Sequence, residues 1–258
     1  LKKSPVPVIF IFLGVNPQEK PKFLKQARRC QAYPNIKLKI TTLRNDFKED
    51  AVSNVELIRP PVLIPREITV QPFLTYHEPV RIGFFGHYRK GEKNVDGIIQ
   101  AFVDCHLAGK AELVVQAAPT GPDDAIDMER IMTKYRNEDS VRFFQEKVQG
   151  RDWYNLLQSV DILFLPYSNE RYLYNWSAVY FNALALYKPV LVTSVLNPEI
   201  LSDYQVGQEV DLTDLQCLRQ QLRHFLQSYK EMLPIYEKNL RRVNADFSIA
   251  AFLRNILT

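Results

Sequence analysis

From Val80 onward, short apolar runs alternate with amphipathic segments across brief connections, and that rhythm leaves little choice of fold. Runs such as AELVV (Ala111 to Val115) and DILFLP (Asp161 to Pro166) are apolar at successive positions instead of every second one. Strands of that kind are covered on both faces. The spacing predicts strands at Ile82–Phe85, Glu112–Gln116, Val141–Phe144, Ile162–Pro166 and Val190–Ser194, separated by helices over 94–107, 124–136, 152–159 and 177–186. Such βαβ alternation implies an α/β fold with a doubly wound parallel sheet. Helices should close the chain at Leu215–Leu226 and Ser228–Leu257, broken at Pro234.

The front of the chain is smaller. Residues 1–58 read as a strand (Val6–Leu13), a helix (Lys20–Gln31), a strand (Ile36–Thr42), a charged irregular stretch and a short strand (Val55–Ile58). At roughly 60 residues, this α/β unit is near the lower limit for independent folding. Pro60, Pro61, Pro65, Pro72 and Pro79 then exclude regular helix and central strand between Arg59 and the next unit. The expected boundary lies near residue 72, dividing the chain into 1–71 and 72–258.

Composition narrows the function classes. With 46% hydrophobic and 24% charged residues, the chain can build a buried core. No apolar run reaches the length of about 18 residues that a membrane span requires. Lys2 and Lys3 precede an apolar stretch, but no small-residue cleavage site follows, so this stretch reads as a first strand. Cys30, Cys105 and Cys217 lack zinc or disulfide-framework spacing, which fits a reducing cytoplasm. The net charge of +4 is spread along the chain and demands no nucleic acid partner. The segment KPKFLKQARR (Lys20 to Arg29) reads foremost as a solvated helix face; its alternative is peripheral attachment to an anionic membrane.

Chemistry concentrates in IGFFGHYRKGEKNVDGIIQAF, Ile82 to Phe102. A buried strand ends at Gly86, a loop supplies His87, Arg89, Lys90 and Lys93, and an amphipathic helix follows. Backbone N–H groups at a helix start favour an anion, and a nearby ammonium adds a point charge. A second helix start follows YNWSA (Tyr174 to Ala178), where Asn175 or Ser177 can cap and Trp176 lies between them. The histidines have no metal-ligand spacing, and Asp123 and Asp124 read as an N-cap pair.

These motifs resemble the donor-binding C-terminal domain of GT-B fold glycosyltransferases, specifically the family-4-like, group 1 set. The Gly86 to Phe102 segment, VRFFQEKV, WYNLLQSVDILFLPY, ALALYKPVLVT and the closing YEKNLRRVNADFSIAAFLRNIL follow that domain's order from about Val80 to the end. The resemblance implies a Rossmann-like domain, preceded here by a small, incomplete acceptor-side unit. It matches Lys93 to the lysine that holds the donor diphosphate and Gly86 to the glycine of close phosphate approach. Arg89 or Lys90 supplies a second cation, and His87 a phosphate donor.

Relatives commonly carry two glutamates, one near the sugar and one on the ribose. This chain has Tyr174 and Asn182 there, with Glu170 a displaced substitute. Gln145 to Val148, including Lys147, should border the base, and Gln116 to Thr120 the phosphates. Trp153, Tyr154 and Tyr167 read either as core or as stacking partners.

The resemblance therefore implies a hexosyltransferase-like enzyme that uses a nucleotide-diphosphate sugar, without metal or other cofactor. It would act, with retention, on a glycan or lipid-linked acceptor in cell-surface polysaccharide or glycan assembly. A non-catalytic nucleotide-sugar-binding subunit and, more weakly, an epimerase or hydrolase are the alternatives.

Overall fold

The computed structural model describes residues 6–47, 52–144, 147–168 and 170–257. Two parallel sheets organise them. The first contains β1 (Val8–Phe12), β2 (Ile36–Thr41) and β3 (Val55–Ile58) in sequential order, with α1 (Lys20–Cys30) crossing between β1 and β2. Leu24 and Ala27 of α1 are buried in one cluster with Ile36, Leu38 and Ile40 of β2.

The second sheet has six strands in the order β6-β5-β4-β7-β8-β9. They are β4 (Val80–Tyr88), β5 (Ala111–Pro119), β6 (Val141–Phe143), β7 (Ile162–Leu165), β8 (Val190–Val192) and β9 (Gly207–Glu209). Helices α2 (Val95–Val103), α3 (Pro122–Lys134), α4 (Gly150–Gln158), α5 (Ala178–Ala185) and α6 (Pro198–Asp203) connect them. The order runs outward from β4 in both directions, as in a doubly wound sheet, and β4 pairs with both β5 and β7. Ile82, Phe84, Val115, Leu163 and Phe164 fill its centre almost without exposure.

Gly83 sits in the middle of β4, where a Cβ would come within 2.6 Å of the Phe85 ring and 2.8 Å of Val160. Gly83→Ala is therefore expected to lower stability by about 1–2 kcal/mol, read from the urea midpoint, because an already filled core must shift.

Three expectations change. The closing helix is continuous over α7 (Leu215–Asp246) despite Pro234, and the break comes at Phe247–Ser248, before α8 (Ile249–Leu257). Pro234 removes one hydrogen bond, but Phe225, Tyr229 and Tyr236 interlock on either side of it, with ring centroids 5.8–6.4 Å apart. Gly121, not an aspartate, is the N-cap of α3, and Pro122 takes the first turn. Asp124 instead accepts hydrogen bonds from the Lys90 backbone and the Thr120 hydroxyl. Both α6 and β9 were absent from the sequence reading.

The N-terminal sheet is tied to the rest of the chain at its interior. Lys39 on β2 is fully buried, pairs with Glu56 at 2.8 Å and donates to the Asn255 carbonyl of α8 at 2.5 Å.

Candidate functional site

The carboxyl ends of β4, β5 and β7 open onto a cavity of about 410 Å³. This is where parallel sheets of this type place their ligands. Gly86 forms its floor with φ +126°, a conformation that side chains rarely adopt, and its N–H donates to the buried Gln116 side chain at 3.3 Å. A Cβ at Gly86 would lie 3.8 Å from the Lys93 Nζ, so the bare backbone keeps the space before that ammonium open.

Lys93 precedes the N-cap of α2, Asn94, whose side chain accepts from the Gly97 N–H. That is an unfavourable position for a cation unless an anion is near. Its Nζ donates to the His87 carbonyl at 2.9 Å and lies 4.9 Å from the Tyr167 ring centre and 5.5 Å from that of Phe84. Burial pushes its pKa down to about 8; Glu92 opposes this fall, while Arg171 and Arg89 add to it.

The facing wall is the start of α5, with Ser177, Ala178 and Val179 all lining the cavity. Ser177 is the N-cap; its hydroxyl accepts from the Tyr180 N–H at 3.3 Å. The basic loop and this capped helix start thus border one space. Burial raises the pKa of the Tyr167 hydroxyl to about 12, so it stays a neutral donor beside them.

His87, Arg89, Lys147, Val148, Tyr167, Trp176 and Ser177 join Gly86 and Lys93 on the cavity wall. Arg89, paired with Glu92 at 3.2 Å, faces the cavity, whereas Lys90 is not on its wall. Trp153, left open between core and ligand, does both: it meets Phe85 edge-on and lines the cavity. Gln145 and Glu146 lie outside the described residues.

Three expected residues are placed elsewhere. Glu170 is exposed and off the wall, because the short 3-10 turn Glu170–Tyr172 points it outward. Asn175 donates to the Arg171 carbonyl and to Asn16, and its backbone bridges Gly14. Asn182 stands behind Trp153, accepting from its indole at 3.5 Å and donating to the Leu63 carbonyl.

Arg171 went unnoticed in the sequence. It lines the cavity, and its guanidinium donates to the Tyr172 hydroxyl at 2.7 Å and lies 4.8 Å from that ring's centre. The signal was a cation next to Glu170 in the run PYSNERYLYNW, but which of the two faces inward is decided by the turn.

The segment after β7 also meets the N-terminal unit. Trp176 donates to the Thr41 hydroxyl at 3.1 Å, and Lys20 donates to the Tyr174 hydroxyl at 3.3 Å. The segment that forms this wall of the cavity is therefore held against the carboxyl end of β2.

Among the described residues, no group of acidic, histidine or cysteine side chains is placed to hold a metal ion, and no helix is long and apolar enough to cross a membrane.

Comparison with known proteins agrees with this geometry. None of the curated proteins compared with the chain matches it. Among solved structures, a glycosyltransferase from Rickettsia africae superimposes with a TM-score of 0.62 at 13% identity, over 96% of this chain and 68% of its own. HepE of Anabaena, solved with UDP and glucose, gives 0.67 at 12% identity, over 97% of this chain and 70% of its own. Sucrose-phosphate synthase from Thermosynechococcus elongatus gives 0.60 at 17% identity, over 84% of this chain and 56% of its own. At such identities the likeness is one of fold, the GT-B arrangement. The sequence itself matches the family described as "Glycosyl transferases group 1" over residues 79–228, the span that holds the basic loop, the capped helix and the cavity between them. By that match the chain belongs to the group 1 glycosyl transferases, with its donor-binding domain in the C-terminal part.

Proposed function

We propose that the cavity binds a nucleoside-diphosphate sugar and that the protein transfers the sugar, with retention, to a hydroxyl of a glycan or lipid-linked acceptor. The observation that carries this reading is that the Gly86–Lys93 loop and the Ser177-capped start of α5 line the same space. Transfer breaks the bond between the sugar's anomeric carbon and the diphosphate oxygen, so negative charge grows on the departing diphosphate. An ammonium at Lys93 and the N–H groups of α5 stabilise that charge where it forms, without needing to reorganise. Trp153, Lys147 and Val148 lie at the β6 side of the cavity and would receive the base. Tyr167 and Trp176 lie at the β7 side and would border the sugar. The UDP and glucose seen in HepE support a ligand of this class.

Titration calorimetry with UDP, GDP and their hexose conjugates tests the assignment. One nucleotide should bind in the micromolar range, and Lys93→Ala should weaken it by about 1.5–3 kcal/mol, the scale of a charged hydrogen bond. Equal affinity in both proteins rejects this cavity as the donor site.

One observation favours a second reading, that of a nucleotide-sugar-binding subunit without activity of its own. Among the described residues, the carboxylate on the cavity wall is Glu92, and it is engaged by Arg89. Binding without any product from cell-derived acceptors would select this alternative.

A further inference from the structure

The segment that joins β7 to α5 divides its aromatic side chains between the two units. Tyr172 and Trp176 line the cavity and pack against the large core of the six-stranded sheet. Tyr174, midway between them, is off the cavity wall and packs on the core of the N-terminal unit instead.

There Tyr174 is the last ring of a row. Phe12 meets Phe23 with ring centroids 4.9 Å apart, Phe23 meets Phe47 at 5.6 Å, and Phe47 meets Tyr174 at 5.1 Å, each pair edge to face. Pairs of this geometry hold a preferred orientation and contribute beyond the area they bury. Phe47 has no exposed surface, so its side of the contact cannot give way. The Lys20 ammonium lies 4.8 Å from the Tyr174 ring centre and 5.5 Å from that of Phe47, and it is fixed there by donating to the Asp46 carbonyl at 2.9 Å. Its bond to the Tyr174 hydroxyl is longer, at 3.3 Å. The ring therefore carries the contact more than the hydroxyl does.

The segment needs such a hold. Between the end of β7 at Leu165 and the start of α5 at Ala178, the 3-10 turn Glu170–Tyr172 is the one regular element among the described residues. A connection of this length keeps one arrangement only where side chains anchor it. Asn175 and Trp176 add polar ties to Asn16 and Thr41, and Tyr174 supplies the apolar insertion between two cores.

We propose that Tyr174 is a positioning residue for the donor: its ring, seated on Phe47, holds Tyr172, Trp176 and the Ser177 cap at the cavity wall. Nucleotide affinity then depends on a contact that lies outside the cavity. This inference rests on the reading of the cavity as a nucleotide-sugar site.

Titration calorimetry with UDP and GDP, on proteins shown by circular dichroism to be folded, compares the wild type with Tyr174→Ala, Tyr174→Phe, Phe47→Leu and the double variant Tyr174→Ala/Phe47→Leu. Val55→Ala is the control, because Val55 belongs to the same core but not to the row of rings. Tyr174→Ala should bind the nucleotide about tenfold more weakly, as when the segment holds its competent arrangement about one tenth of the time. Phe47→Leu, made from the other side of the contact, should lose about threefold on the same basis and keeps the test open if Tyr174→Ala does not fold. The double variant should be about as weak as Tyr174→Ala alone, since both changes break one contact. Tyr174→Phe keeps the ring and should stay within about twofold of wild type, as should Val55→Ala. Trypsin gives a local readout: wild type should resist cleavage after Arg171, Tyr174→Ala should be cut there, and saturating nucleotide should suppress the cut. Wild-type affinity in both Tyr174→Ala and Phe47→Leu overturns the proposal. So do losses that multiply in the double variant, a loss in Tyr174→Phe or Val55→Ala equal to that in Tyr174→Ala, or cleavage at Arg171 that nucleotide leaves unchanged. If the wild type binds neither nucleotide, the donor-site reading itself fails before any variant is compared.

Discussion

Replacing Lys93 with methionine is expected to strengthen the fold and cripple the cavity at once. The depressed pKa of about 8 means that the native environment disfavours the charged form of this lysine. In the unfolded chain, the lysine holds its proton up to its ordinary range near pH 10.4. Below about pH 8 both states are charged, and the native state bears the full cost of the buried ammonium. Between the two pKa values the unfolded chain binds more protons, so wild-type stability rises with pH. Above that window the cost is gone. Methionine fills the same space without charge, so Lys93→Met should be more stable than wild type at pH 7 by roughly 2 kcal/mol. That figure is discounted from the full shift because water still reaches part of the side chain. The difference should close as urea denaturation is repeated toward pH 10.5. A constant difference across this range would remove burial of the charge as its cause.

The same variant should bind nucleoside diphosphate more weakly by about 1.5–3 kcal/mol. A bound diphosphate also holds the Lys93 proton in place, so wild-type binding near pH 8.5 should take up a proton. Calorimetry in two buffers of different ionisation enthalpy reads that uptake, and Lys93→Met should lack it. A side chain that costs stability and is retained for its charge is what a built anion site requires.

The second large effect concerns Lys39. Its side chain is wholly buried between β2 and α8, and its charge is met by Glu56 and the Asn255 carbonyl. Glu56 is 44% exposed, so the two partners are not equivalent. Removing Glu56 strands an ammonium in the interior, whereas removing Lys39 leaves a carboxylate that water can solvate. Glu56→Ala should therefore cost about 3 kcal/mol, and Lys39→Met under about 1 kcal/mol, because an orphaned buried charge is worse than an apolar replacement of the pair's buried member. Denaturant midpoints of the two variants measure the asymmetry. Equal losses would mean that Glu56 compensates little of the Lys39 charge.

The parts of this architecture that were legible in the sequence share a physical cause. Strands β4, β5, β7 and β8 are buried on both faces, so their apolar runs are continuous and cannot be mistaken for surface. Strand β9 is only Gly207, Gln208 and Glu209; no apolar pattern announces it, and it exists because β8 offers an edge to pair with. Pro234 ordinarily ends a helix, but packing of the aromatic residues around it outweighs one lost hydrogen bond.

The cavity divides along the same line. Gly86, Lys93 and Ser177 were legible because their surroundings are set within a few residues, by a strand end, a loop and a cap. The inward face of Arg171 and the outward face of Glu170 depend on a turn between β7 and α5, and the engagement of Asn175 depends on a unit more than a hundred positions earlier in the chain. Spacing within a motif cannot report contacts of that range.

The segment from Arg171 to Ser177 has cavity wall on one flank, while its Tyr174, Asn175 and Trp176 grip Lys20, Asn16 and Thr41 on the other. Gly14 stands so close that a Cβ there would overlap the Asn175 side chain at 2.1 Å, leaving almost no slack between them. A wall with so little play couples what it touches. If a molecule seated against the ends of β1 and β2 shifts this segment and so changes the affinity of a ligand in the cavity, that ligand changes the molecule's affinity by the same factor. Order of addition would then matter to rates but never to the final occupancy of the two places.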